Sequence, residues 1–129
     1  MFKLIMLLKK RSDLTRKQFM DYYDNHHVPF MHSIVPQGAA VHRRNYVLAS
    51  ESGSDYEVTS QIEDGWDVIV EVFYESREAA EAAMKALAEP ETLRQMKEDE
   101  SRFIQPGSIR RFVVEVHETV FRPMPQRGI

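Results

Sequence analysis

The chain has 129 residues, of which 43% are hydrophobic, and this length is that of a single domain over residues 1–129 with a core of its own. Its formal net charge of −3, with no basic residues interleaved with aromatic ones, argues against binding to a nucleic acid. Because the chain lacks cysteine, disulfides, thiolate metal ligands and a cysteine nucleophile are excluded.

The first predicted element is an apolar strand over residues 2–10. Its charges, on Lys9, Lys10 and Arg11, follow the apolar run rather than precede it. The run is too short to span a bilayer, and the order of charges is wrong for a signal peptide. We therefore expect a cytoplasmic protein that contacts no membrane.

A helix is predicted over residues 16–27. Thr15 and Gln18 have the spacing of a capping box, which satisfies backbone N–H groups at a helix start. Pro29 disfavours helical geometry at the residue before it, so we expect the regular helix to end near His27.

This helix carries an apolar stripe whose members recur at helical spacing, namely Phe19, Tyr22, Tyr23, His26 and Phe30. His26 lines up with Phe19, where burial would favour a neutral imidazole. His27 lies on the flank of the stripe, where a pocket would reach it and the helix end would favour its protonated form. The pattern therefore predicts that His27, and not His26, transfers a proton.

Further along, the pattern predicts a turn over residues 31–38, strands over 39–48 and 67–74, a helix capped by Ser76, another helix from Pro90, and a strand over 109–121. Residues 49–65 form a long polar connection. At that length a connection is typically a lid, a binding loop or disordered, and we favour a partly ordered lid. Residues 122–129 are expected to form a poorly packed tail or an arm on a neighbouring molecule.

The order strand–helix–strand–strand–helix–strand predicts an α+β fold of the ferredoxin-like βαββαβ type. Its four-stranded antiparallel sheet would carry both helices on one face. Strands 1, 3 and 4 have apolar residues on both faces, which is typical of a sheet that is buried on both sides. We therefore expect a homodimer whose sheets face each other as a dimeric α+β barrel. The alternative is a monomer with an open apolar face.

Several short motifs occur in an order and spacing shared with a known family. They are Leu7-Leu8-Lys9-Lys10-Arg11 followed by Leu14-Thr15 and Phe19, Tyr22-Tyr23, the His-x-Pro signature His27-Val28-Pro29, Arg44-Asn45-Tyr46, Gly65-Trp66-Asp67 before Glu71-Val72-Phe73-Tyr74, and Asp99-Glu100 with Phe103. With these motifs the chain resembles the EthD-domain family, within the dimeric α+β barrel superfamily.

The resemblance implies a homodimeric barrel with a pocket between the sheet and the helices of each protomer. Better-studied relatives in the superfamily are lyases, cyclases, isomerases and monooxygenases that act on small, often aromatic molecules without metal or flavin. Several EthD-like members resemble decarboxylases or dehydratases of aromatic polyketide-type acids. We accordingly expect no cofactor.

Four residues are candidates for the chemistry. His27 matches the family histidine and would transfer a proton. Tyr22 or Tyr23 would orient or neutralise a phenolate or enolate oxygen, or would simply pack as a ring. Asp99 would hold the imidazole of the histidine, or is one solvated charge in an acidic stretch.

Other residues are candidates for contacts with a substrate. Arg43 and Arg44 point to opposite faces of their strand. The inward one would be an anchor for a carboxylate substrate unless a protein carboxylate already pairs with it. Trp66 would form the wall of an aromatic pocket or belong to the core, and His42 and Phe30 complete the set.

The histidines also raise the possibility of a metal site; they are His26, His27, His32, His42 and His117. No His-Glu-x-x-His pattern is present, and adjacent residues on a helix point apart. We therefore expect no metal site.

The leading functional hypothesis is a cofactor-independent lyase, either a decarboxylase or a dehydratase, of a small aromatic or polyketide-like carboxylated metabolite. His27 would transfer the proton, while tyrosine and arginine side chains would stabilise the developing oxyanion. One alternative is a cyclase or isomerase of a small cyclic metabolite. Another is a non-catalytic dimeric protein that binds a small molecule.

Overall fold

The computed structural model of the chain describes residues 2–36, 38–48 and 65–125. The strands and helices are β1 (Phe2–Leu8), α1 (Arg16–Tyr22), α2 (Val28–Ile34), β2 (Val41–Tyr46), β3 (Val68–Tyr74), α3 (Arg77–Leu87), α4 (Pro90–Glu100) and β4 (Arg110–Val114). A π-helical turn over Tyr23–His27 connects α1 to α2. The predicted lid, apart from Gly65, lies outside the described residues, as do residues 126–129 of the tail.

The strands form one four-stranded antiparallel sheet in the order β2-β3-β1-β4. This order and the alternation of strands and helices confirm the predicted ferredoxin-like α+β fold. Within the described ranges, no helix is long and apolar enough to cross a membrane.

The core lies between the helices and one face of the sheet. On β3, Val68, Val70 and Val72 are buried, whereas the intervening Ile69 is 38% exposed. The buried valines pack with helical residues such as Phe19 and Ala83. Each aliphatic side chain buried in this way contributes about 1.5–3 kcal/mol of hydrophobic free energy. The alternation therefore fixes which face of the sheet the helices cover.

The outer face of the sheet is more polar than its sequence suggests. Glu71 accepts hydrogen bonds from Lys3 at 2.8 Å and from Asn45 at 3.1 Å, and lies 3.4 Å from Arg43. The cations of Lys3 and Arg43 also lie over the ring of Phe73. An ion cluster thus sits in the middle of the face that the sequence predicts to be apolar.

The caps are predicted correctly, but three strands are shorter than predicted. Thr15 forms the capping box with Gln18, and Ser76 caps α3. β4 ends at Val114 rather than at residue 121 because Val114 pairs with Lys3, next to the start of β1. The strands predicted over 39–48 and 2–10 are likewise shortened to β2 and β1, because β3 pairs with only these residues of each.

The predicted helix end at His27 is wrong, because the chain remains helical to Ile34. The N–H of Val28 donates to the carbonyl of Tyr23, five residues earlier. Pro29, at the start of α2, has no N–H, and its ring crowds the carbonyl four residues before it. The wider turn accommodates the proline without a break, and it extends the helix into the predicted turn over 31–38.

Candidate active site

The π-turn determines which of the two neighbouring histidines faces the core. His27 is 5% exposed and lies on the same face as Phe19 and Tyr23, whereas His26 is exposed and stacks on Tyr22. The expectation that His26 is buried and His27 lies on the flank is therefore wrong. In a regular α-helix His26 would follow Phe19 around the axis, but the extra residue in the turn brings His27 into that position.

Asp99 joins His27 to α4. Asp99 is buried, and its Oδ2 lies 2.6 Å from Nδ1 of His27. Its other oxygen accepts hydrogen bonds from the hydroxyl of Tyr22 at 2.6 Å and from Arg102 at 3.3 Å. A carboxylate only accepts hydrogen bonds, so Nδ1 of His27 donates to it. The arrangement fixes both the orientation and the tautomer of the imidazole.

The electrostatics of His27 also differ from the expectation. Burial lowers the pKa of His27 below its ordinary value, and the hydrogen bond and negative charge of Asp99 only partly oppose this effect. The helix continues past His27, so the negative end of a helix dipole does not favour its protonated form. The ring is therefore neutral near pH 7, with a proton on Nδ1 and a lone pair on Nε2.

Nε2 of His27 is available to a molecule in a cavity of about 420 Å3 between the sheet and the helices. Within the described part of the chain it makes no hydrogen bond and is not among the buried polar atoms that lack a partner. The walls are mainly apolar, formed by residues such as Leu4, Val72, Ala83, Leu87 and Met96. The titratable or charged side chains in the lining, apart from Tyr74, are His27, His32, His42, Glu100 and Arg111.

Glu100 and Arg111 line the cavity although neither was singled out as a site residue from the sequence. Burial raises the pKa of Glu100 above its ordinary value, more than the nearby cations lower it. Nη2 of Arg111 lies 3.6 Å from the carboxylate of Glu100. The spacing of the sequence indicates both residues. Glu100 follows Met96 by one helical turn, and Arg111 lies on the same face of its strand as Ile109 and Val113.

His42 lies on the inner face of β2 and lines the same cavity. Its Nε2 is 2.9 Å from the hydroxyl of Tyr23, and its Nδ1 is buried without a hydrogen-bond partner in the described part of the chain. Burial, followed by the charges of Arg44 and His27, lowers the pKa of His42 to about 4. His42 is thus a neutral imidazole at the cavity wall.

The tyrosine and arginine candidates lie next to the cavity rather than in its lining. Tyr22 reaches the site through Asp99, and Tyr23 through His42. Arg44 points inward, but its Nε donates to Asp24 at 2.7 Å, so a protein carboxylate already pairs with it. Arg43 lies on the outer face beside Glu71. The sequence predicts a cation of the cavity on β2, whereas the structure has it on β4, as Arg111.

Trp66 and Phe30 are absent from the lining of the cavity as the described residues define it. Trp66 precedes β3, and the ammonium group of Lys9 lies 5.0 Å from the centre of its ring. Phe30 is half-buried on α2. Neither side chain contributes to the wall beside His27 in this structure.

Nothing in the described ranges 2–36, 38–48 and 65–125 groups three histidine or acidic side chains as a metal ion would require. The polar groups of the cavity are those of proton transfer and anion binding. They comprise the neutral imidazole of His27, the half-buried carboxyl group of Glu100 and the guanidinium of Arg111.

Comparison with known proteins adds a family and a fold. A profile of the EthD domain matches residues 11–107. An EthD family protein from Bacillus halodurans is 19% identical with a TM-score of 0.57, covering 91% of this chain and 100% of that chain. A protein from Arabidopsis thaliana is 9% identical with a TM-score of 0.59, covering 94% and 100%. An EthD-like protein from Ralstonia eutropha is 14% identical with a TM-score of 0.53, covering 92% and 96%. No curated protein matches the sequence significantly.

Proposed function

Because the chain belongs to the EthD family, we propose that its cavity is the active site of a cofactor-independent lyase. The substrate class is a small carboxylated molecule of aromatic or polyketide type. The observation that supports this most directly is the geometry of His27, whose Nδ1 is held by Asp99 while Nε2, at the cavity, makes no hydrogen bond to any residue that the structure describes.

In this proposal His27 is the general base. Its neutral ring accepts a proton on Nε2 from a carbon next to a carbonyl or carboxyl group. The imidazolium that forms is stabilised by the carboxylate of Asp99, 2.6 Å away. The mainly apolar walls strengthen this interaction because they exclude water.

Glu100 is the general acid, and this favours dehydration over decarboxylation. A half-buried carboxyl group with a raised pKa retains a proton closer to neutrality than an ordinary glutamate does. His27 takes the proton of the C–H bond, whose electron pair forms the new C=C bond. The C–O bond on the neighbouring carbon breaks, and the oxygen leaves as water with the proton of Glu100.

Arg111 anchors the carboxylate of the substrate. Its contact with Glu100 is long, at 3.6 Å, so a substrate carboxylate competes for the guanidinium without breaking a short ion pair. This cation takes the role that the sequence analysis gave to Arg43 or Arg44.

The test is turnover of a panel of β-hydroxylated aromatic and cyclic carboxylic acids by the wild type and by His27→Gln. We expect the substitution to lower kcat by about a hundredfold or more, the usual scale for a general base. His32→Gln is the matched control, because His32 lines the same cavity but is exposed. Equal rates for the wild type and His27→Gln on a turned-over substrate would overturn the proposal.

A non-catalytic binding protein is the second candidate, and the mainly apolar lining of the cavity favours it. A carrier would bind the same aromatic acids without converting any of them. It would also lose affinity on Arg111→Gln while being indifferent to His27→Gln. A cyclase or isomerase would use the same proton abstraction by His27, and product analysis distinguishes it from a lyase.

The second copy of the chain is the proposed partner of the outer sheet face. Ile69 is 38% and Phe112 is 47% exposed there, and apolar surface of this kind is typical of an interface. Light scattering should give about twice 15.1 kDa. Phe112→Glu should shift the mass towards the monomer, whereas Leu93→Glu, on the helical side, should not. A monomeric wild type at micromolar concentration would contradict the dimer.

A further inference from the structure

We infer that His42 is a hydrogen-bond donor to an oxygen of the bound molecule, so that its Nδ1–H forms an oxyanion-binding position in the cavity. The inference rests on the proposed function only in taking this cavity as the place where substrate binds. It assigns to His42 a role separate from that of the base, His27.

The first observation is an unsatisfied polar atom. Among the described residues, Nδ1 of His42 is the buried side-chain nitrogen or oxygen that has no hydrogen-bond partner. Buried polar atoms in folded proteins nearly always have one, so an exception needs an explanation. The ring of His42 is part of the cavity wall. Nδ1 itself has almost no accessible surface in the empty cavity, so a ligand oxygen reaches it only when the atoms that cover it move aside. That oxygen is then the partner that the protein itself does not supply.

The second observation concerns which nitrogen of His42 carries the proton. The hydroxyl of Tyr23 lies 2.9 Å from Nε2 of His42, and this is its hydrogen bond within the described part of the chain. Burial raises the pKa of Tyr23, so the phenol keeps its proton. Tyr23 is 1% exposed, and among the described residues its hydroxyl has no other acceptor for this proton. The phenol therefore donates to Nε2, and the single proton of the neutral imidazole lies on Nδ1. Tyr23 acts as a positioning residue that selects the tautomer.

In this arrangement His27 removes the proton and His42 stabilises the charge that results. When His27 removes a proton next to a carbonyl group, negative charge develops on the carbonyl oxygen. A neutral N–H group that is already fixed in place stabilises this charge without giving up its proton. His42 remains neutral in this pH range because burial and the charge of Arg44 hold its pKa at about 4. The same principle applies wherever a neutral imidazole serves as an electrophile.

The experiment compares two ligands of nearly the same shape, acetophenone, which has a carbonyl oxygen, and α-methylstyrene, which has a CH2 group in its place. The measured quantity is the ketone preference, the dissociation constant of α-methylstyrene divided by that of acetophenone. We expect this preference to be about tenfold larger in the wild type than in His42→Phe, the scale of one buried hydrogen bond. His27→Phe is the control and should keep the preference. Unchanged preference in His42→Phe would overturn the inference.

Nitrogen-15 NMR of the histidine rings provides a second test that needs no substitution of His42. The free wild type should show His42 protonated on Nδ1, and acetophenone should shift that nitrogen more than α-methylstyrene does. Tyr23→Phe removes the donor to Nε2 and should move the proton towards Nε2, with a smaller preference for the ketone. Protonation on Nε2 in the wild type would overturn the inference.

Neither ligand is turned over, so these results are independent of the lyase proposal. If His27→Gln has a normal rate and His42→Phe loses the ketone preference, the role of His27 as base is contradicted and the role of His42 as donor is supported. If His27→Gln is inactive and His42→Phe keeps the ketone preference, the role of His42 as donor is contradicted and the role of His27 as base is supported.

Discussion

Two aspartates in this fold bind the same types of partner and yet have different surroundings. Asp24 accepts hydrogen bonds from Arg44 and from the hydroxyl of Tyr46, each at 2.7 Å. Asp99 also accepts from a tyrosine and an arginine, but adds Nδ1 of His27. The Asp24 side chain is 37% exposed and that of Asp99 is 6% exposed.

The difference lies in the third partner. Arginine and tyrosine partners leave Asp24 as a link between the π-turn and β2, with no polar atom at the cavity. The imidazole partner of Asp99 carries a second nitrogen, which reaches the cavity. A buried carboxylate therefore becomes part of a candidate active site only where it holds a group with a free lone pair.

The largest expected effect separates the two aspartates by activity. Asp99→Asn keeps the shape of the side chain but no longer selects the Nδ1-protonated tautomer of His27, and we expect kcat to fall by about a hundredfold or more. Asp24→Asn, the matched control, should change kcat by less than about threefold, a small fraction of that effect. The measurement is turnover of the acid identified in the panel.

Equal losses in the two variants, at equal folded fraction by circular dichroism, would show that the two carboxylates are not functionally distinct. A fall in kcat that occurs only in Asp24→Asn would place the chemistry near Arg44 and Tyr46, the partners of Asp24, and not at His27.

The next effect is on stability against acid. The folded-state pKa of His42 is about 4 against an ordinary value of 6.5, and that of His27 is also lowered. Between these values the unfolded chain binds more protons than the folded one, so stability is lost as pH falls below about 6.5. His42 alone accounts for a loss of about 2–3 kcal/mol. Urea unfolding at about pH 7 and about pH 4.5 measures it.

Glu100 should act with the opposite sign. Its raised pKa means that the folded state holds a proton that the unfolded state releases, so this group adds stability as pH falls through the folded pKa. Glu100→Gln should therefore steepen the acid loss, and His42→Phe should flatten it. Parallel profiles for these two variants would contradict the assigned directions.

The smallest effects concern the tyrosines of the two clusters. Tyr22→Phe and Tyr46→Phe each remove one hydroxyl that donates to an aspartate, and each should cost about 1 kcal/mol of unfolding free energy. Only Tyr22→Phe should also change the pKa of His27 seen by NMR, because only Tyr22 shares a carboxylate with that ring. An equal change in the pKa of His27 in both variants would contradict the link between Tyr22 and His27 through Asp99.

The topology was accessible from the sequence because it depends on local signals. The alternation of Val68, Val70 and Val72 predicts a strand with one buried face, and Thr15 and Ser76 mark helix starts. Such patterns act over a few residues, and their order leaves few ways to build a sheet. The ends of the strands were harder to predict, because a strand ends where the pairing with its neighbour ends.

The site was only partly accessible, since contacts between distant residues decide it. His27 and Asp99 were both named in advance as a possible pair, although they are 72 residues apart. The burial of His27 was missed because periodicity assumes a regular helix, and a π-turn shifts it by one residue. Arg111 was missed as a site residue, since only the fold shows that Met6, its partner on β1, lies at the cavity.

The π-turn has a consequence for how this sequence tolerates changes in length. A turn closed by a bond over five residues holds one residue more than a turn of α-helix. Removing exposed Asn25 should therefore convert the segment into regular helix and leave the relative positions of α1 and α2 unchanged, but the ring of Pro29 would then crowd the carbonyl four residues before it. A one-residue deletion within α1 would instead rotate everything after it by about 100 degrees. A deletion between Tyr23 and His27 thus keeps the direction of the imidazole, and Pro29 is the residue that opposes it.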